Sequence, residues 1–113
     1  MDKWKVIYYA SSSGNNPVSD FLDSLDKQTQ SKLLRIVTNI EEYGLLSVIP
    51  HVKKLSGTPL WEIRILGKVN ARIIYVVPTR TRVILLHGFV KKSNKTPSKE
   101  IHIALARFRD LTG

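Results

Sequence analysis

Three runs rich in β-branched and aromatic residues follow one another with only short polar breaks: Leu60–Ile65, Arg72–Val77 and Val83–Lys92. Such runs read as strands, and breaks of this length join neighbours in space, so Gly67-Lys68-Val69-Asn70 and Pro78-Thr79-Arg80-Thr81 are expected to turn an antiparallel meander. Any fold for this chain must accommodate that sheet.

The flanking segments supply helices to cover it. Trp4–Tyr9 reads as a further strand running into the polar loop Ala10–Asn16. Asn16-Pro17 is a helix-start signal, predicting a short helix that packs Val18, Phe21, Leu22 and Leu25. Asp26 is placed to cap a second helix ending near Tyr43, with Leu33, Ile36, Val37 and Ile40 at helical spacing and Gly44 as its left-handed stop. Leu45–Pro59, with two prolines and a glycine, reads as an irregular connection. Thr96-Pro97 repeats the cap-plus-proline signal, and Ile101, Ala104, Leu105, Phe108 and Leu111 form the stripe of a closing helix. The expected fold class is α+β, order βααβββα, with helices packed on a mainly antiparallel sheet in one domain spanning residues 1–113. A chain of this length buries roughly two thirds of its unfolded surface.

Charge is divided unevenly along the chain. From His51 onward there are thirteen Lys and Arg against three acids, whereas the first fifty residues hold five against six. Such asymmetry points to a polyanionic partner, because each phosphate neutralised by Lys or Arg releases condensed counterions. A merely solvated basic surface is the alternative, and clustering on strands weighs against it. Cysteine is absent, which excludes disulfides, thiolate metal sites and cysteine nucleophiles and is compatible with the cytoplasm, the expected location. The N-terminus lacks the apolar run of a signal peptide, and no stretch reaches the roughly 18 apolar residues of a membrane span.

Turn lengths allow a register to be tested. If Leu66 lies opposite Asn70, Arg64 lies opposite Arg72; if Val77 lies opposite Arg82, Arg72 lies opposite His87. Phe89 and Lys91 then follow on the same face, giving a cluster of Arg64, Arg72, His87, Phe89 and Lys91, which a slip of one residue would scatter. Facing arginines repel unless an anion lies between them, so a phosphate site is the simplest explanation. Phe89 is suited to stack on a splayed base. Blander readings stand beside these: Arg64 paired with Glu62 or Asp110, Phe89 in the core, His87 as a hydrogen-bonded packing residue.

With RNA as ligand, the parts for cleavage without a metal are present. The 2′-hydroxyl attacks the adjacent phosphorus, Arg72, Arg64 and the lysines stabilise developing charge, and His87 or Tyr75 can move a proton. Two-metal chemistry would need clustered carboxylates, zinc would need ligand spacing that His51, His87 and His102 lack, and no glycine-rich phosphate loop or serine elbow occurs. No metal or cofactor is expected. An Arg72→Ala chain is expected to fold but to lose activity.

The segments Lys53-Lys54-Leu55, Pro59-Leu60-Trp61-Glu62-Ile63-Arg64, Ala71-Arg72-Ile73-Ile74-Tyr75 and His87-Gly88-Phe89-Val90-Lys91-Lys92-Ser93-Asn94-Lys95-Thr96-Pro97, in this order, resemble a HigB-type toxin of the RelE/ParE toxin–antitoxin superfamily, in a phage-derived branch. The resemblance covers nearly the whole chain. It implies a toxin that enters the ribosomal A site and cleaves mRNA there until a cognate antitoxin, usually a helix-turn-helix protein, binds it. Carried over by motif, Arg72 matches the phosphate-stabilising arginine, Arg64 the cationic position on the preceding strand, and Lys91 and Lys92 the basic group ending the last strand. Catalytic roles are thus expected for Arg72, Arg64, His87, Lys91 and Lys92, and RNA contacts for Lys53, Lys54, Tyr75, Phe89 and Lys95. Many RelE-like members carry a tyrosine shortly after the basic group; here Ser93-Asn94-Lys95-Thr96-Pro97 leads into a helix, so the comparison assigns no proton-transfer residue. ParE-like members share the fold but inhibit DNA gyrase, and a non-catalytic nucleic-acid-binding module is a third reading.

Overall fold

The structure, a computed structural model, describes residues 3–92 and 95–112; Ser93 and Asn94, part of the last motif, lie outside the described residues. In chain order it comprises strand β1 (Lys5–Tyr8), helices α1 (Pro17–Ser24) and α2 (Lys27–Tyr43), a 3-10 helix (Leu45–His51), strands β2 (Val52–Lys54), β3 (Trp61–Ile65), β4 (Ala71–Thr79) and β5 (Arg82–Val90), and helix α3 (Ser98–Thr112). The five strands form one sheet in the order β1-β5-β4-β3-β2. The meander β2 to β5 is antiparallel, and β1 joins β5 in parallel. The class is α+β, as expected. The expected order lacked β2 and the 3-10 helix, because a strand of three residues among prolines and glycines leaves no periodic pattern to read.

Local chemistry explains where the helices begin and end. Asp26 caps α2, its Oδ2 accepting from the Thr29 amide at 3.1 Å and its Oδ1 from the Thr29 hydroxyl at 2.6 Å. Gly44, at φ 82°, takes the conformation that a Cβ would strain, and its amide donates to Ile40 O at 2.8 Å. Asn16 precedes α1 as expected but does not cap it; its side-chain amide donates to Gly14 O instead. Thr96 likewise gives its hydroxyl proton elsewhere, to Glu62.

The core lies between the sheet and the α1–α2 hairpin, where Val18, Leu33 and Ile40 meet Ile63, Ile65, Ile73 and Leu85. Helix α1 presses so closely on β5 that a methyl at Gly88 would overlap the Phe21 ring. Helix α3 lies against the opposite face and grips His87. Covered on both sides, β4 is buried continuously from Ala71 to Val76. Among the described residues no helix is long and apolar enough to cross a membrane.

Register fixes which side chains share the α3 face. Arg64 stands opposite Arg72, as the turn length predicted. Arg72, however, stands opposite Phe89, and His87 opposite Ile74. The expected pairing of Val77 with Arg82 is replaced by Thr79 with Arg82, because the hairpin closes through only Arg80 and Thr81. Two irregularities then compensate: one extra residue on β4 around Val77-Pro78, where proline has no amide for the ladder, and one on β5 at Leu86. The net displacement of two residues preserves the face while moving His87 away from Arg72.

Candidate functional site

One end of that face carries a concentration of charge. Glu62 is wholly buried, Arg72 is 7% exposed and Lys91 8%. Burying a carboxylate in a strand requires partners, and Glu62 has them: its Oε2 accepts from the Thr96 hydroxyl at 2.6 Å, and its Oε1 lies 3.4 Å from Arg72 Nε. That second contact is an ion pair without hydrogen-bond geometry, and both atoms are buried with no hydrogen-bond partner among the described residues. Arg72 Nη1 turns back to Ala71 O at 3.1 Å. The Lys91 amide extends the ladder to Asn70 O, which seats its side chain beside Arg72.

Around this single carboxylate four cations act on one another. Burial pushes the Arg72 guanidinium below its ordinary value; Glu62 offsets this and Arg64 reinforces it. Burial also pushes the Lys91 ammonium down, with Glu62 opposing and Arg72, Lys53 and Arg64 each adding to the fall. Lys53 stands opposite Glu62 in the β2–β3 register, and Lys53 and Arg64 are exposed. The cluster therefore has two nearly buried cations at its base, two at its mouth, and an excess of positive charge that Glu62 does not neutralise.

The other sequence candidates fall elsewhere. His87 shares the face, but both its ring nitrogens are engaged. Arg107 Nη1, which can only donate, sits 3.1 Å from Nδ1, so Nε2 carries the proton and donates to Glu100 Oε1 at 2.8 Å. Burial first of all, and Arg107 and Lys99 further, push the imidazole below its ordinary value, against Glu100. Arg107 also donates to Leu86 O at 2.9 Å, satisfying the carbonyl at the β5 bulge, and lies over the Tyr9 ring, whose hydroxyl donates to Asp110 at 2.8 Å. The network ties α3 to the sheet, which is the packing alternative for His87.

Phe89 is buried and stacks on His87, ring centroids 5.7 Å apart, so it is a core residue and offers no face to a base. Tyr75 is buried on the opposite face of β4 from Arg72, paired with Trp61, and burial pushes its phenol up to about 12, so it is poorly placed and poorly tuned to move a proton. Lys54 faces away from Glu62, opposite Trp61, with its ammonium 5.3 Å from that ring's centroid and bonded to Thr58 O. Lys92 and Lys95 are exposed on the segment leading to α3.

Two members of the cluster escaped sequence reasoning. Glu62 was weighed only as a counter-charge for Arg64, whereas it pairs with Arg72; Asp110, the other candidate partner for Arg64, binds Tyr9. Thr96, whose place before Pro97 predicts a helix cap, binds Glu62 instead. The signal for Glu62 was available: a carboxylate flanked by Trp61 and Ile63 in a strand, on the same face as two arginines. Among the described residues no three His, Asp or Glu side chains gather as metal ligands would. A family model for phage-derived Gp49-like proteins matches residues 20–109, a span that includes every member of the cluster. No curated protein matches the sequence.

Proposed function

This chain belongs to the Gp49-like family of phage-derived proteins, and from that premise we propose that it is the toxin of a type II toxin–antitoxin module, a metal-independent endoribonuclease that cleaves mRNA in the ribosomal A site. The observation that carries the reading is the excess of cations at the Glu62 cluster. Burial first, and neighbouring cations in addition, disfavour the charged forms of Arg72 and Lys91, and a bound phosphate would relieve both. The HigB-like resemblance of the same residues supplies the reaction class.

Roles follow from depth and chemistry. Lys53 and Arg64, at the mouth, receive the RNA backbone. Arg72, held from behind by Glu62, and Lys91 stabilise charge on the phosphoryl oxygens as the 2′-hydroxyl attacks and the 5′-oxygen leaves. Lys91, lowered by burial and like charges, is the group we assign to exchange a proton at that centre. Glu62 is a positioning residue, because its carboxylate is wholly buried. His87 holds α3 in place.

A toxin with this surface would act in the bacterial cytoplasm and be restrained by a cognate antitoxin, a helix-turn-helix protein whose acidic or amphipathic segment complements the basic mouth. Primer extension on mRNA from cells expressing the chain tests the reading. Breaks spaced by codons support it, and their loss in Lys91→Gln with normal folding would place Lys91 in the chemistry. Intact mRNA with DNA damage would replace it with gyrase inhibition, and intact mRNA and DNA would leave a binding module.

A further inference from the structure

We propose that the cavity between α2 and the outer end of β3 is a second phosphate subsite, which takes a backbone phosphate of the same single-stranded RNA one or more nucleotides from the scissile bond. This rests on the nuclease reading and extends it from a single phosphate to a track. Strand β2 pairs with β3 only as far as Ile63, so β3 beyond that point presents an edge without an outer strand. There a cavity of about 330 Å³ opens, near the lower end of the roughly 300–1,000 Å³ usual for small-ligand sites.

Its lining has the composition of an anion site. Lys32, Arg35 and Arg64 contribute three cations, Asn39 and His51 add hydrogen-bonding groups, and no carboxylate lines it. Buried Ile36 and Ile65 form an apolar floor suited to a ribose or base edge. Lys32 is anchored at the rim by donating to Leu66 O at 2.7 Å, which leaves two of its three protons for a ligand. Gathering these cations without a counter-charge is costly unless an anion is bound.

Arg64 joins this cavity to the first site. Arg64 borders the cavity, and its charge acts on both Arg72 and Lys91. A ligand with several linked phosphates can occupy both places at once, whereas a free phosphate can fill only one. This continuity favours a nucleic-acid backbone over a small anion.

The test uses the full chain with Lys32→Gln and Arg35→Gln combined, two surface changes expected to leave the thermal melt unaltered. Binding of a 2′-O-methyl octanucleotide, which cannot be cut by 2′-hydroxyl attack, is compared with binding of a dinucleotide of the same chemistry by fluorescence anisotropy across a salt series. The expected result is about a tenfold loss for the octanucleotide, a salt slope shallower by about 0.7 for the one phosphate contact removed, and no change for the dinucleotide. Inorganic phosphate should compete no better than chloride at equal ionic strength; stronger competition, abolished in the double variant, would make the cavity a free-phosphate site and overturn the RNA track. An octanucleotide that binds the double variant as tightly as the parent, or does not bind the parent at all, would also overturn it. Codon-spaced breaks in cells are scored separately, so the subsite can fail while the nuclease reading stands, and the reverse.

Discussion

The α3-facing side of the sheet carries two charged assemblies, and they differ in completeness. At one, His87, Glu100, Arg107, Tyr9 and Asp110 form a chain in which both imidazole nitrogens, the tyrosine hydroxyl and the bulge carbonyl of Leu86 all have partners. At the other, Glu62 Oε1 and Arg72 Nε face each other at 3.4 Å without a hydrogen bond, and four cations act around one carboxylate. A saturated network rigidifies and has nothing left to offer a ligand; an unsaturated, over-charged one is held at a cost that a ligand can repay. The contrast separates a tether from a receptor, although both are built from the same residue types on adjacent strands.

The largest effect expected is on Arg72. Arg72→Ala would leave Glu62 buried beside a void, lowering stability by about 3–5 kcal/mol in urea unfolding, so the sequence-based expectation that this variant folds normally is corrected by the burial of the pair. Arg72→Met with Glu62→Leu removes both charges and should change stability by less than the single variant while abolishing mRNA cleavage. A well-folded double variant that still cuts would break the comparison, because the receptor would then have no need of its central pair.

A smaller loss should follow when the tether is cut. Arg107→Leu strips a donor from both His87 Nδ1 and Leu86 O and should cost about 1.5–3 kcal/mol, the range for hydrogen bonds to a charged group. Cleavage by the folded fraction should survive. If activity per folded molecule fell as far as it does in Lys91→Gln, the two assemblies would be one functional unit. Thr96→Val, which leaves Glu62 Oε2 without its hydroxyl donor, should cost about 1–3 kcal/mol by the same measurement and bears on whether that contact positions Arg72.

The sequence disclosed much of this architecture and little of the contrast. Asp26 and Gly44 bound α2 by local chemistry, which a sequence shows directly, and the short Gly67–Asn70 turn set Arg64 against Arg72. The β4–β5 register escaped because β4 runs on through Pro78 and Thr79, so the hairpin turns through Arg80 and Thr81 alone; the two bulges, on different strands, cancel and leave that two-residue displacement in place. Phe89 is expected at the RNA because alternation identifies residues that share a face but not which helix covers it; Tyr75, three residues from Arg72, lies on the other face by the same alternation. Glu62 looked like an ordinary surface counter-charge; it is buried, and the hydroxyl that binds its carboxylate comes from Thr96, more than thirty residues away.

The smallest expected effect isolates the tether by pH. Burial holds His87 below its ordinary value, so the folded state keeps the imidazole neutral over a range in which the unfolded chain, titrating near 6.5, has already bound a proton. The unfolded state then binds more protons, and stability must rise with pH across that window. It should be fully present above the unfolded value and fall as the solution is acidified below it. The structural cause is specific: a second ring proton would appear on Nδ1, pointing at the guanidinium of Arg107, which has no lone pair to accept it. Urea midpoints measured between pH 7.5 and 5 should decline for the parent chain and decline less for His87→Gln, whose amide can still donate toward Glu100 and accept from Arg107. An equal decline in both would assign the acid sensitivity to other groups and leave the His87 tether without a titrating element.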